Sequence, residues 1–351
     1  MKIAITYSTK NGLRKEFGKR FAGELDDEDI PPDLFAEGDD PRTINAISTA
    51  LVSLNHSVVA FEGDDDVAVK LEQARPDLVF NVTEGLFGDW RESYVPLICE
   101  RLGLPYTGSD PLTLAICLNK ARCKEILSYY RIPTPAFRVI YPDANGFDPE
   151  FSFPAIVKPL AEGSSKGIFD RSVVYTAAQA QALIRENFTK YDHEPVMMEE
   201  FLTGQEFTVA VIGNGSTMEV LPIVAMDYSQ LPADAHPIYS YEAKWVWDRP
   251  EKPLHIFQCP APIGAELKQA IETTVRRTCQ VLRIRDWCRL DLRLDAAGVP
   301  NILELNPLPG ILPDPADNSC FPKAARTAGY DYATMLSKVI ESAALRCSLK
   351  I

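Results

Sequence analysis

The segment WCRLDLRLDAAGVPNILELNP, residues 287–307, constrains this chain more than any other. Its residues alternate with the period of two that belongs to a β-strand. Leu290, Leu292 and Leu294 take one face, and Arg289, Asp291 and Arg293 take the other. On the return strand Glu304 and Asn306 share a face, with Leu303 and Leu305 opposite. A turn over AAGV, 296–299, sets Asp291 directly across from Glu304 and Arg289 across from Asn306. Opposed residues of an antiparallel pair sit about 5 Å apart. Two facing carboxylates at that distance repel, and the pair needs a compensating cation. Carboxylate and amide oxygens suit hard Mg²⁺, so Asp291, Glu304 and Asn306 are the candidate metal ligands. A solvated polar face on an ordinary hairpin accounts for one lone acid. It accounts poorly for Asp opposite Glu, with Asn two residues on and Arg alongside. The reading depends on register, because a slip of one residue separates the pair.

The rest of the chain predicts what surrounds this hairpin. KIAITY (2–7), SVVAFEG (57–63) and DLVFNV (77–82) read as strands, with helical spacing in 11–25, 41–56 and 65–76 between them. Alternating β and α units of this length imply a parallel, doubly wound lobe, ending near Asp110–Thr113. ICLNKARCKEILSYYRI (116–132) then reads as one helix, PAFRVI and FPAIVKP as strands, and VMMEEFLTGQEFTVAVIG (196–213) as strand, turn, strand. A long amphipathic helix lies within 258–284, and 331–347 is a closing helix. This latter part reads as α+β. A length of 351 residues, 46% of them hydrophobic, is ample for two or three lobes.

The net charge of −13 is concentrated. ELDDEDIPPDLFAEGDD, 24–40, holds nine acids and no Lys or Arg, and such a block is expected to be a solvated loop. The composition excludes a general nucleic-acid surface, which needs clustered Lys and Arg. The eight cysteines form no C-x-x-C and mostly sit in apolar runs, where Cys behaves as a small buried hydrophobe. They are expected to be reduced, which fits the cytoplasm. No signal peptide and no bilayer-spanning run is visible.

Other segments are individually weak. Lys158 ends the strand PAIVKP, and Lys120 opens the helical NKARCK. Between Gly163 and Gly167, Ser164 and Ser165 form a flexible loop with free backbone N–H groups, of the kind that cradles phosphate; a plain hairpin turn explains it almost as well. It is not G-x-x-x-x-G-K-[ST]. EEFLTGQEFTV (199–209) places Glu206 on a strand where backbone and carboxylates suit adenine and ribose, or where a polar hairpin simply turns. YSYEAKW (239–245) is a polar–aromatic loop with Lys244, suited to a lid.

In order and spacing these pieces resemble the D-alanine–D-alanine ligase family over roughly 78–335. The carriers are VFNVTEGLFGDWRESYVPLICERLGLPYTGSD, NKARCK, PAIVKPLAEGSSKGI, EEFLTGQEFTVAV, YEAKW and RLDLRLDAAG…ILELNPLPG. The resemblance implies an N-terminal Rossmann-like lobe, 1–112, and an ATP-grasp fold of two subdomains, 113–206 and 207–351. It implies ATP held by Lys120, Lys158 and Lys244, with Glu199 and Leu202 at adenine and Glu206 at ribose. It implies Mg²⁺, as two ions with Mn²⁺ as an alternative, on Asp291, Glu304 and Asn306. Arg289 matches the arginine that supports a tetrahedral intermediate, and Ser164 the serine near the first substrate. The implied chemistry is ATP-dependent joining of a carboxylate to an amine through an acyl phosphate, with small amino-acid or peptide substrates and a homodimer formed through the N-terminal lobe.

Four departures fall on the amino-acid sites. Glu84, in NVTEG, stands where the family has His, and is a catalytic candidate there. STKNGLRKEF lacks G-G-x-S-x-E, the pattern whose glutamate holds the first amino group. Trp245 replaces a lid tyrosine. After NPLPG, with Gly310, the segment ILPDPADNSCFP replaces a shorter H-S-L-x-P, leaving Asn318 and Ser319 as substitutes for gripping a carboxylate. The expectation is a ligase whose substrates differ from two D-alanines. The rivals are a kinase that stops at phosphoryl transfer, a non-catalytic nucleotide-binding module, and a docking role for the acidic segment.

Overall fold

The computed structural model describes residues 1–21, 30, 33–142, 151–190, 194–248 and 254–350. Three sheets organise them. In the first, β1 (Lys2–Tyr7) lies between β2 (Ser57–Glu62) and β3 (Leu78–Asn81), all parallel. Helices α1 (Lys10–Arg20), α2 (Pro41–Ser53) and α3 (Val67–Ala74) lie between these strands in sequence. The centres of β1 and β3 are apolar and buried because both faces are covered, whereas the edge strand β2 is partly exposed. Ile3, Ile5 and Phe80 pack against α2, while Ala4 and Val79 pack against α3 and α4 (Tyr94–Leu102).

The run expected as one helix over 116–132 is two, α5 (Pro111–Leu118) and α6 (Lys120–Tyr129). Asn119 breaks it. Its backbone is extended, its side chain accepts the N–H of Arg122, and the N–H of Lys120 is drawn to the Leu160 carbonyl at 3.2 Å. A capping Asn competes with helix continuation, and here it delivers Lys120 at a helix start.

The second sheet contains β4 (Phe137–Ile140), β5 (Ala155–Pro159), β6 (Val173–Val174) and β7 (Val196–Glu200), antiparallel in the order β4-β7-β5-β6. Ala180, Leu183 and Ile184 of α7 (Ala177–Lys190) cover it. The third contains β8 (Glu206–Ile212), β9 (Glu219–Val220), β10 (Val224–Met226), β11 (Phe257–Gln258), β12 (Trp287–Leu294) and β13 (Pro300–Asn306). Its order is β11-β10-β8-β12-β13, with β9 on β8. Ile271, Val275, Cys279 and Leu282 of α8 (Ala265–Leu282) form its core face.

Residues 199–209 are therefore not a hairpin. β7 and β8 belong to different sheets, and the connector between them hinges at the end of β12. The N–H of Gly204 donates to the Leu294 carbonyl at 3.2 Å. A Cβ on Gly204 would lie 2.4 Å from that oxygen, so only glycine fits.

One core joins the first lobe to the third sheet. Trp287 is fully buried, its ring 5.5 Å from Phe80 and 5.7 Å from Phe321 on α9 (Cys320–Thr327). α10 (Tyr332–Arg346) completes this core through Leu336, Val339 and Ile340. Below it, fully buried Asp286 accepts the N–H of Gly108 at 2.9 Å and pairs with Arg346 at 2.7 Å. All eight cysteines are free thiols. Among the described residues, no helix is long and apolar enough to cross a membrane.

Candidate active site

On β12 and β13, Asp291 lies across from Glu304 and Arg289 across from Asn306. The strands reach that register by an irregularity. Nearer the turn, Leu292 pairs with Ile302 and Leu294 with Pro300, one residue out of step. Leu303 is the extra residue of a β-bulge. The bulge turns Leu303 into the cleft beside Glu304, rather than to the opposite face that alternation predicts.

That cleft, of about 570 Å³, is lined by strands of the second and third sheets and by helices and loops of the first lobe. Every candidate site residue lines it except Trp245, whose side chain lies outside the described residues. The segment expected as a loop at 239–245 runs into a π-helical turn, Ala243–Trp247. Ser240 starts it, its hydroxyl accepting the N–H of Ala243 at 3.2 Å.

Cations and carboxylates are interleaved along the cleft. Arg289 donates to both oxygens of Asp291, at 3.1 and 2.8 Å, and the Asn306 amide donates to Asp291 at 3.3 Å. Lys120 stands 3.6 Å from Glu304 and also donates to the Glu162 carbonyl. Burial pushes the Glu304 pKa up, but Lys120, Lys158 and Arg289 outweigh it and hold the carboxyl at about 2. Lys158 lies 3.1 Å from one oxygen of Glu199, and Lys124 lies 2.7 Å from the other. Burial pushes Glu206 up to about 7 even though Arg293 stands 3.3 Å away. Burial and the neighbouring Arg289 bring Lys244 down to about 8.

Among the described residues, no group of three or more His, Cys, Asp or Glu is placed to hold a metal. The hairpin instead offers two carboxylates and one amide. This set fits Mg²⁺, which keeps several waters and takes one or two carboxylates with phosphate oxygens.

The loop after Lys158 is tied down from an unexpected side. Ser164 and Ser165 hold left-handed backbone, φ 49° and 61°, which is costly for residues with a Cβ. The N–H of Gly167 is not free, since it donates to Asp33 at 2.8 Å, and the Ser165 hydroxyl donates to the Tyr239 carbonyl at 2.9 Å. The described part of the acidic segment is thus not a solvated loop. Asp33 is fully buried, and Glu37 reaches Arg91 at 3.0 Å and Lys166 at 2.6 Å. Basic partners distant in sequence compensate its charge.

Asn318 donates to Asp248 and to the Leu254 carbonyl, and Ser319 donates to the Gly310 carbonyl at 3.1 Å. Both thereby hold the segment after β13 in shape at the cleft. Sequence reasoning missed Lys124, although it follows Lys120 by four residues, the spacing of one helix face. It also missed Glu92, Arg91 and Lys166, which carry no local signature.

The family model for the D-ala D-ala ligase C-terminus matches residues 142–341. The chain is 31% identical to the uncharacterized protein y4sG of Sinorhizobium fredii, over 98% of this chain and 97% of that one. It is also 31% identical to a D-alanine–D-alanine ligase of Pseudomonas putida, over 86% and 87%. Among solved structures, a D-alanine–D-alanine ligase from Bacillus anthracis complexed with ATP superposes with a TM-score of 0.67 at 20% identity, covering 99% of both chains. Another structure of the ligase from that organism gives 0.72 at 21% identity, again over 99% of both. The N-terminal parallel lobe and the two antiparallel sheets are those of that ATP-grasp fold, and the chain belongs to the D-alanine–D-alanine ligase family.

Proposed function

We propose that this enzyme is an ATP-dependent ligase that joins a carboxylate to an amine by way of an acyl phosphate, on a substrate pair other than two D-alanines. One observation supports the ligase reading: cations suited to phosphate and acids suited to a metal meet in one cleft, with Lys120 3.6 Å from Glu304 and Arg289 bidentate on Asp291. A carboxylate is a poor electrophile. Phosphorylation gives it a good leaving group, which the amine then displaces. The first step needs positioning and charge neutralisation more than covalent chemistry from the protein.

Lys120, Lys158 and Lys244 would take the phosphate oxygens, Glu199 and Leu202 the adenine, and Glu206 the ribose. Asp291, Glu304 and Asn306 would hold Mg²⁺, in one or two ions, which when bound supplies neutralising charge at the phosphates. Arg289 is positioned to meet oxyanion charge when the amine attacks. Ser164 would stand near the first substrate. The altered pair is supported by Glu84, a carboxylate in the cleft where the family has an imidazole, and by the rebuilt segment around Asn318 and Ser319. We place the enzyme in the cytoplasm, where ATP is supplied, as a homodimer through its N-terminal lobe.

The test is phosphate release from ATP and Mg²⁺ over a matrix of D- and L-amino acids, singly and in pairs, with Glu304→Ala as blank. Amine-dependent release with an amide product is expected. ATP consumed on a hydroxyl acceptor without amide would make the protein a kinase. Equal efficiency on D-alanine and on every other amine would remove the altered specificity.

A further inference from the structure

Six acids from the first lobe and the loop after β5 line the cleft: Glu37, Asp39, Asp40, Glu84, Glu92 and Glu162. Glu37 is already balanced. With Glu162 it faces Arg91 and Lys166, and each of these acids contacts both bases. Two acids against two bases leave that quartet neutral, and the pull of Arg91, Lys120 and Lys166 on Glu92 does not offset its burial. Arg91 is further committed to the Ala161 carbonyl at 2.6 Å.

Glu92 is only 8% exposed, yet among the described residues its carboxylate makes no hydrogen bond and no ion pair. Half-buried Glu84 makes none either. Asp39 accepts the N–H of Ser8 at 3.1 Å and has no cationic partner among the described residues. A buried carboxylate without a partner is a costly arrangement. Burial pushes Glu92 up to about 7 and Glu84 well above the carboxylate range, with Glu92 itself raising Glu84. Unpaired acids in a cleft point to a partner that arrives from outside.

We propose that the first-lobe side of the cleft recognises a substrate carrying two positive charges, so that one partner in the ligation is a basic amino acid. Glu84 and Glu92, with Asp39 beside them, take its α-ammonium and its side-chain ammonium or guanidinium. The inference rests on the ligase reading above. An α-ammonium alone pairs with one of the two carboxyl groups and leaves the other buried without a hydrogen-bond partner. A second cation removes that cost through charge-assisted hydrogen bonds. A neutral side chain is rejected because it strands a buried polar group, which discriminates more sharply than a mismatch of size.

The test uses the full chain with ATP and Mg²⁺ and compares lysine, ornithine and arginine, in both chiralities, with Nε-acetyl-lysine and alanine. Phosphate release with the basic amino acid is expected at a kcat/KM at least about tenfold above its acetylated counterpart. Glu84→Gln and Glu92→Gln should each shrink that ratio several-fold, while ADP binding followed by calorimetry stays at the wild-type value, which shows that the variants are folded. Acetyl-lysine or alanine matching lysine, or a ratio unmoved in both variants, overturns the proposal. Lysine binding in the presence of ADP that is lost in Glu92→Gln, without amide formation, keeps the site and removes the ligase reading. Amide formation from neutral amino acids alone does the reverse. Neither binding nor turnover with any basic amino acid overturns the site.

Discussion

Lys124 Nζ lies 2.7 Å from Glu199 Oε2, and the two side chains are 1% and 2% exposed. The same lysine donates to Thr134 at 2.7 Å and to the Ile302 carbonyl at 3.3 Å. It therefore ties α6 to β7 and β13 and orients the carboxylate that also meets Lys158.

Lys124→Met should destabilise the protein by about 3 kcal/mol, because it leaves Glu199 with one buried cation in place of two. It should also raise the KM for ATP, since Glu199 and Lys158 lose their fixed geometry. The double variant Lys124→Met, Glu199→Gln should recover part of the stability, as no buried charge is then stranded. Urea unfolding of wild type and the two variants checks this. Equal midpoints for wild type and Lys124→Met would sink the idea.

Glu304→Gln should lower phosphate release at least about a hundredfold at every Mg²⁺ concentration, with the fold retained. The substitution removes one of the two facing carboxylates and leaves Lys120 without its 3.6 Å partner. A Mg²⁺ titration of phosphate release separates the outcomes. Full activity recovered at high Mg²⁺ would mean that Glu304 tunes affinity only, and undiminished activity throughout would remove it from the site.

The Asp291–Glu304 register was legible because strand alternation is a local property, and the bulge at Leu303 happens to preserve the pairing that a plain turn at 296–299 implies. Three features were not legible, for one physical reason. Whether EEFLTGQEFTV folds back as a hairpin or crosses between sheets is decided by Leu294, which receives Gly204, and not by its own turn residues. Likewise, 33–40, the described part of the acidic segment, looks solvated until Arg91 and Lys166 are brought to Glu37. Glu92 belongs to an unremarkable helix start until the cleft forms around it. Long-range partners set burial, and burial sets what a charge does.

Glu37 should make the protein acid-sensitive. Burial raises its pKa, but Arg91 and Lys166 outweigh this and bring it from 4.5 down to about 2. A carboxyl whose folded pKa is depressed stabilises the fold above its unfolded pKa, and that stability is lost as pH falls through the folded value. The loss should run from about pH 4.5 to about pH 2 and amount to roughly 3 kcal/mol. Unfolding free energy against pH, for wild type and Glu37→Gln, checks it. The variant should begin less stable at pH 7 and lack this fall, and parallel curves would rule the network out as its source.

Glu92 should act with the opposite sign. Its folded pKa, pushed by burial from 4.5 to about 7, means that the folded chain holds a proton more tightly than the unfolded one. Stability contributed by the protonated carboxyl is present below about pH 4.5 and is lost as pH rises through about 7. Glu92→Gln, permanently neutral, should therefore be more stable than wild type at pH 8, by on the order of 2 kcal/mol, and match it near pH 4. A basic amino acid bound in the cleft should erase the difference at pH 8 by supplying the missing charge. Thermal unfolding with and without lysine reads both effects, and a variant no more stable than wild type at pH 8 would show that the carboxylate is already compensated.

Asp286 should prove the most sensitive acid outside the cleft. It is fully buried where the first lobe, β12 and α10 converge, and accepts from Gly108 at 2.9 Å, Asn214 at 2.8 Å and Arg346 at 2.7 Å. Asp286→Ala would leave the Gly108 N–H and the Arg346 guanidinium without their acceptor, and removing one member of such a buried pair costs about 3 to 5 kcal/mol. Arg346 keeps the Tyr106 carbonyl at 2.7 Å, so the lower end of that range is expected. Because Trp287 follows directly and packs on Phe80 at 5.5 Å, the loss should appear as cooperative unfolding of the whole chain rather than release of α10 alone. Chemical unfolding read by tryptophan fluorescence and by far-ultraviolet circular dichroism should give coincident transitions at a lower midpoint. Two separated transitions would show instead that Asp286 fastens the C-terminal helix without joining the lobes.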